Sequence, residues 1–200
     1  TVVEGRFSVD SGLGLRSVVA KVAAPAESSS KTDTKDLVKS VLGSLLGTKK
    51  KEEPAATSQP ERAEIFLQAP ILNAFQLVLE LVSREKHGSF SLDLYQGCSR
   101  GAGYRLAYVP GGQPSLELQR FGSSGVRSIV AHNQTLNLED NFRHRIEINR
   151  DTDGGMTVSV DGGRVLSATD RSFRDPFSGI TIANDGGDYS VREITVFGDR

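Results

Sequence analysis

The sequence predicts an all-β chain folded as a β-sandwich or barrel, with one short amphipathic helix inserted. Three observations carry this expectation. From Asn141 to Leu166, apolar residues alternate with polar ones and the breaks are filled by Asp-Gly and Gly-Gly, so the stretch reads as a β-meander with one dry and one wet face. Similar runs recur along most of the chain, about a dozen short strands separated by turn residues, as sandwiches and barrels require. With 200 residues and a single cysteine, Cys98, the chain is long enough to bury a core by packing alone, without an internal disulfide.

Taken in order, Gly5 to Ala24 supplies one or two strands. Phe7 and Val9 alternate with polar neighbours, Ser11-Gly12 marks a turn, and Leu13 to Ala24 is rich in Val and Ala. Residues 25–60 then change to Ser, Thr, Lys, Glu, Ala and Pro, a composition that cannot by itself bury enough apolar surface to offset the entropy of ordering. We read a flexible insertion in a single domain spanning 1–200. Within it, residues 36–46 place Leu37, Val38, Val41, Leu42, Leu45 and Leu46 at helical spacing. Asp33 or Thr34 can cap the start, Gly47 suits the end, and Lys49 to Lys51 complement the dipole. A helix of about three turns is marginal unless its stripe docks. Leu37, Val41, Leu42 and Leu45 are therefore candidate docking residues, for the parent sandwich, for a partner protein or second copy, or for a membrane surface.

Arg62 onward is strand pattern. Ala63 to Gln68 is short. Asn73 to Ser83 sets Phe75, Leu77, Leu79 and Leu81 on one face, and Ser89 to Tyr95 turns Phe90, Leu92 and Leu94 inward with Ser91, Asp93 and Tyr95 outward. Tyr104, Leu106 and Tyr108 alternate with Arg105 and Ala107; Leu116 with Leu118, and Val126 to Val130, make two more strands. In the meander, Phe142, Ile146 and Ile148 point one way, and Met156, Val158 and Val160 resume that face after the turn at Asp153-Gly154-Gly155. The tail closes the domain with two strands around Asn184 to Gly187.

Charge narrows the partners. The formal net charge of −1, from 24 basic and 25 acidic residues, leaves no basic footprint for nucleic acid or for an anionic membrane. No run approaches the roughly 18 to 20 apolar residues of a spanning helix. Oligomeric state is not legible.

His144 to Ile148, Val158-Ser159-Val160-Asp161-Gly162, Gly179 to Ile182 and Val191 to Val196 together resemble the last third of concanavalin A-like and laminin G-like jelly-roll domains. The ordering is also similar to the bacterial β-sandwich family that includes keto-disaccharide hydrolases. The resemblance covers Arg62 to Gly198, with Gly5 to Ala24 as first strands. It implies a concanavalin A-like jelly roll, and fold more than activity. It further implies an extracytoplasmic module, periplasmic, secreted or at the cell surface, that binds a glycan or a protein as part of a larger envelope or surface protein. A carbohydrate-active hydrolase is the alternative.

Sugar-binding sandwiches stack rings on aromatic faces and meet hydroxyls with carboxylates, amides and arginines. There is no Trp here, so Asp93, Tyr95, Tyr104, Arg105, Tyr108 and Arg120 are the candidate ligand-binding residues, set beside ordinary core roles for the tyrosines. No catalytic set stands out. Glu80 and Glu85 have an odd spacing that puts them on opposite faces of a strand, which disfavours a paired-carboxylate hydrolase. Cys98 with His87, His132 or His144 makes no recognisable nucleophile arrangement, and no zinc spacing occurs. No cofactor is called for; calcium at Asp151 and Asp153 is the one exception the pattern admits, and a hairpin turn is the preferred reading of those residues. Asp161, Asp185 and Asp188 carry the same two readings. Asn133-Gln134-Thr135 is a glycosylation sequon.

Overall fold

The computed structural model describes residues 1–10, 14–19, 62–97, 100–111, 115–132 and 136–198. The insertion 25–60 with its helix 36–46, and with them the docking residues Leu37, Val41, Leu42 and Leu45, lie outside the described residues, as do Cys98 and the sequon. Among the described residues every regular element is a β-strand.

In chain order the strands are β1 (Val2–Glu4), β2 (Ser8–Asp10), β3 (Gly14–Val19), β4 (Ala63–Ile71), β5 (Phe75–Ser83), β6 (Phe90–Gln96), β7 (Gly103–Val109), β8 (Ser115–Gly122), β9 (Gly125–Ala131), β10 (His144–Arg150), β11 (Gly155–Val160), β12 (Gly163–Thr169), β13 (Phe177–Asn184) and β14 (Gly187–Gly198). They form two seven-stranded antiparallel sheets. The first runs β1-β4-β13-β6-β7-β8-β9 and the second β12-β11-β10-β5-β14-β3-β2. This is a two-sheet jelly-roll-like sandwich, the fold that the resemblance implies and one of the two, sandwich or barrel, that the alternation allows. Two hairpin-linked meanders, β6 to β9 and β10 to β12, fill one side of each sheet. The C-terminal strands β13 and β14 then insert into the middle of the two sheets.

The core lies between the sheets and follows the period of two. Leu77, Leu79 and Leu81 of β5 are fully buried, as is Leu92 of β6, with Leu94, Ile146, Ile148, Val158 and Ile182 hardly less so. Burying each such side chain contributes roughly 1.5–3 kcal/mol. Phe177 meets Phe75 edge-on and Tyr104 at a tilt, with ring centroids 5.7 and 5.8 Å apart. At one end Gly88 (φ 84°) sits so close to the turn after β13 that a Cβ would come within 1.1 Å of the Gly186 carbonyl oxygen; only glycine lets these two turns cross.

One orientation read from the sequence is corrected. Phe142 does not share the inward face of Ile146 and Ile148. It is 71 % exposed, because β10 begins only at His144 and Asn141, with φ of 65°, turns the chain just before it.

His144 anchors that turn. Its ring nitrogens lie 2.7 Å from Asp161 Oδ2 and 3.0 Å from Asp140 Oδ1, and Asp161 Oδ1 also accepts the Arg145 N–H at 2.8 Å. Burial alone would depress the His144 pKa, but the hydrogen bonds and charges of Asp161 and Asp140 outweigh it and hold the pKa above the ordinary histidine value.

Candidate functional site

The outer face of the first sheet is the part of the surface whose chemistry exceeds what a solvated strand face needs. Register fixes its pattern in rows that cross the strands. One row runs Phe66, Thr181, Asp93, Arg105, Gln119 and Ser128 over β4, β13, β6, β7, β8 and β9. On one side of it lies Gln68, Gly179, Tyr95, Gly103, Phe121 and Val126. On the other lies Glu64, Ala183, Ser91, Ala107, Glu117 and Ala131. A polar row is thus bordered by an aromatic row and by a row of small residues with a carboxylate near each end.

At the centre, Arg105 grips Asp93 with both prongs of its guanidinium. Nε donates to Oδ1 at 2.7 Å and Nη2 to Oδ2 at 2.6 Å. Asp93 is 1 % exposed, although β6 directs it away from the core. The Asp93 hydrogen bond raises the pKa of the Arg105 guanidinium still further. Among the described residues Nη1 of Arg105 has no hydrogen-bond partner. Beside it, Gln119 Nε2 donates to Glu117 Oε2 at 2.6 Å, which leaves the Gln119 carbonyl oxygen as an acceptor.

The aromatic row is built by glycines. Tyr95 meets Phe66 and Phe121 edge-on, with centroids 6.0 and 5.6 Å away, and Arg105 lies 5.5 Å over the Phe121 ring. A Cβ on Gly179 would stand 2.6 Å from the Phe66 ring, and one on Gly103 would stand 2.9 Å from Phe121 Cζ and 1.9 Å from the Leu94 carbonyl oxygen. Each glycine therefore gives a neighbouring ring the space to lie flat across its strand. Burial raises the pKa of the Tyr95 hydroxyl; the Asp93 charge adds to this, while Thr181 and Arg105 oppose it.

Of the six residues chosen from the sequence, the fold brings Asp93, Tyr95 and Arg105 together on this face and separates the other three. Tyr104 and Tyr108 are fully buried on the opposite side of β7, because residues of even number on that strand face the core. Tyr104 donates to Asp170 Oδ1 at 2.9 Å, and burial pushes its pKa up to about 12. The Tyr108 hydroxyl oxygen accepts the Leu138 N–H at 3.3 Å, and burial together with the Glu139 carboxylate beside it pushes its pKa up. Arg120 also leans to the inner side, where its guanidinium bonds Asp170 at 2.8 Å and the Ser172 hydroxyl. Burial would raise the Asp170 pKa, but hydrogen bonds from Ser172 and Tyr104 and the Arg120 charge prevail and hold it below the carboxylate range.

Sequence reasoning missed Phe66, Phe121, Gln119, Glu117 and Thr181. The alternation within β4 and β8 already set Phe66 and Phe121 opposite the apolar sides of their strands, which was the available signal. Thr181 belongs beside Asp93 only through the long-range pairing of β13 with β6.

The remaining acids are tied down singly. Asp188 accepts from Arg16 at 2.6 and 2.9 Å and from Arg84 at 3.0 Å; burial would raise its pKa, but these contacts lower it. Asp185 lies 3.5 Å from Arg62, and Asp161 faces His144. Asp151 Oδ1 accepts the backbone N–H groups of Asp153 and Gly155 at 2.9 and 2.7 Å, which is hairpin-turn chemistry. Among the described residues no group of three or more His, Cys, Asp or Glu side chains is arranged to hold a metal ion.

No family model and no curated protein matches the sequence. Solved structures do match in shape. The carbohydrate-binding module CBM66 from Bacillus subtilis aligns with a TM-score of 0.62 and 13 % identity, over 98 % of this chain and 93 % of its own. A tetrameric galectin from the ball sponge Cinachyrella sp. aligns with a TM-score of 0.56 and 12 % identity, over 67 % of this chain and 99 % of its own. A Bacillus subtilis protein of unknown function with a galectin-like fold aligns with a TM-score of 0.56 and 11 % identity, over 70 % and 79 %. At such identities the likeness is one of fold: the chain is a β-sandwich of the type shared by galectins and CBM66.

Proposed function

We propose that this chain is a non-catalytic glycan-binding module whose ligand lies across the outer face of β6, β7 and β8. The observation that carries the reading is the juxtaposition of the Asp93–Arg105 pair and the Gln119–Glu117 amide–carboxylate pair with the contiguous rings of Phe66, Tyr95 and Phe121. A sugar ring presents apolar C–H patches and a rim of hydroxyls. The rings suit the first, and the bidentate pair suits the second, because Asp93 orients the guanidinium and so lowers the entropy lost when a hydroxyl binds it. The names of the neighbours in fold, a carbohydrate-binding module and galectins, support the same reading.

Binding is favoured over hydrolysis because both Asp93 oxygens are engaged by one arginine, whereas a general acid or nucleophile must be open to the glycosidic bond. The module works outside the cytoplasm within a larger envelope or surface protein, a reading supported by the jelly-roll resemblance in the sequence. A polysaccharide pull-down and glycan array with the full chain test the binding reading. Retention on at least one glycan at millimolar ligand is expected, and no retention on any would overturn it.

A further inference from the structure

The second sheet carries a different cleft, at the end where β14, β5 and β10 lie side by side. Phe197 of β14 is 55 % exposed there, a large ring that nothing in the sandwich requires at the surface. Register continues from it through Gln76 of β5 and Asn149 of β10 to Thr157 of β11. This row contains an aromatic ring, two carboxamides and a hydroxyl, with no charge. The ring and both carboxamides line a cleft of about 480 Å³ with Thr152 at its rim.

The polar groups of this row are largely unspent. Gln76 Nε2 reaches Glu147 only at 3.4 Å, and among the described residues the Asn149 carboxamide has no hydrogen-bond partner. Two charged residues, Arg150 and Asp151, also line the cleft, and both are engaged by the protein itself: Arg150 donates to the backbone oxygens of Asn73 at 2.9 Å and Phe173 at 2.8 Å, and Asp151 Oδ1 accepts the N–H groups of Asp153 and Gly155. Carboxamides both donate and accept, and paired side by side they match vicinal hydroxyls, whose donor and acceptor roles also alternate. An open ring next to them supplies the apolar half of a sugar's surface.

We infer that this cleft is a second saccharide site, in which a neutral sugar ring lies on Phe197 and its adjacent hydroxyls bond Gln76 and Asn149. It sits on the sheet opposite the Asp93–Arg105 face and is independent of it. With both sites filled, one module holds two sugar chains, or two stretches of one.

The test is a chemical-shift titration of the isotope-labelled full chain with glucose, galactose, mannose, fructose and N-acetylglucosamine, each raised to roughly 100 mM to capture millimolar affinities. At least one sugar is expected to shift the side-chain amide signals of Gln76 and Asn149 saturably. Phe197→Ala should weaken that binding at least tenfold and Phe197→Trp should retain it; the ring is exposed, so neither change threatens the core. No shift at these amides with any of the five sugars, or equal affinity in Phe197→Ala, would overturn the inference. The Gln119 amide reports the other face separately. Shifts at Gln119 without shifts at Gln76 and Asn149 would refute the second site and leave the proposed function standing, and the reverse pattern would support the second site while counting against the first.

Discussion

Replacing Arg105 by Met removes the guanidinium from Asp93 but keeps most of the stem that packs near Phe121. The carboxylate left behind is 2 % exposed in its side chain, and it loses both of its strong hydrogen bonds at once. Removing one partner of a buried ion pair costs about 3–5 kcal/mol. Arg105 itself is 28 % exposed, so the pair is partly screened and the lower end, about 3 kcal/mol, is expected. The reverse change, Asp93→Ala, strands a guanidinium that can turn to water and should cost only about 1–2 kcal/mol. Urea unfolding with linear extrapolation reads both values. A loss below about 1 kcal/mol in Arg105→Met, or a larger loss in Asp93→Ala than in Arg105→Met, would refute the view that the carboxylate is the buried partner.

Other perturbations test separate parts of the structure. His144 has a folded pKa above its unfolded value, so its contribution is complete below about pH 6.5 and disappears as pH rises through the folded pKa; wild-type stability should therefore fall more than that of His144→Gln between pH 5 and 9, and parallel curves would contradict the clamp. Its partner Asp140 has a lowered pKa, although burial works against this, so its share is present above the unfolded value of 3.8 and is lost as pH falls through the folded one. Gly103→Ala would drive a methyl to 1.9 Å from a backbone oxygen and should destabilise by about 3 kcal/mol, whereas Gly122→Ala meets only Ala102 at 3.8 Å and should change stability by no more than about 0.5 kcal/mol; thermal melts distinguish them. Tyr104→Phe removes the bond to Asp170 at a cost of about 1 kcal/mol, and, since the ring faces the core, glycan retention should be unchanged.

The sandwich was legible because it is written in short range. The alternation in Phe75 to Ser83 and Phe90 to Tyr95 is enforced by the pleat, and the buried leucines lie where that period puts them. Phe142 misled for a local reason: the apolar period continues through it, but the left-handed Asn141 breaks the strand before the pleat can apply. The candidate face was legible only in part. Grouping Tyr104 and Tyr108 with Arg105 followed their chemical type; the parity of β7, visible in the same residues, already separates them. Of the polar row only Asp93 and Arg105 could be read, since its extent depends on β13 inserting between β4 and β6 and so on pairings such as Thr181 with Asp93 that no local pattern records. The insertion 25–60 is read from composition alone, and it lies, with its helix and docking role, outside the described residues.

The most direct measurement of the central claim is to titrate the best-retained glycan into isotope-labelled full chain while observing the Arg105 Nε–H and Gln119 side-chain amide signals, with Phe121→Ala as the comparison. Ligand bound on the outer face of β6 to β8 predicts saturable shifts at both groups and at least tenfold weaker binding in Phe121→Ala, about 1.4 kcal/mol. A glycan that binds with no change at Arg105 and Gln119, or with the same affinity in Phe121→Ala, would contradict it.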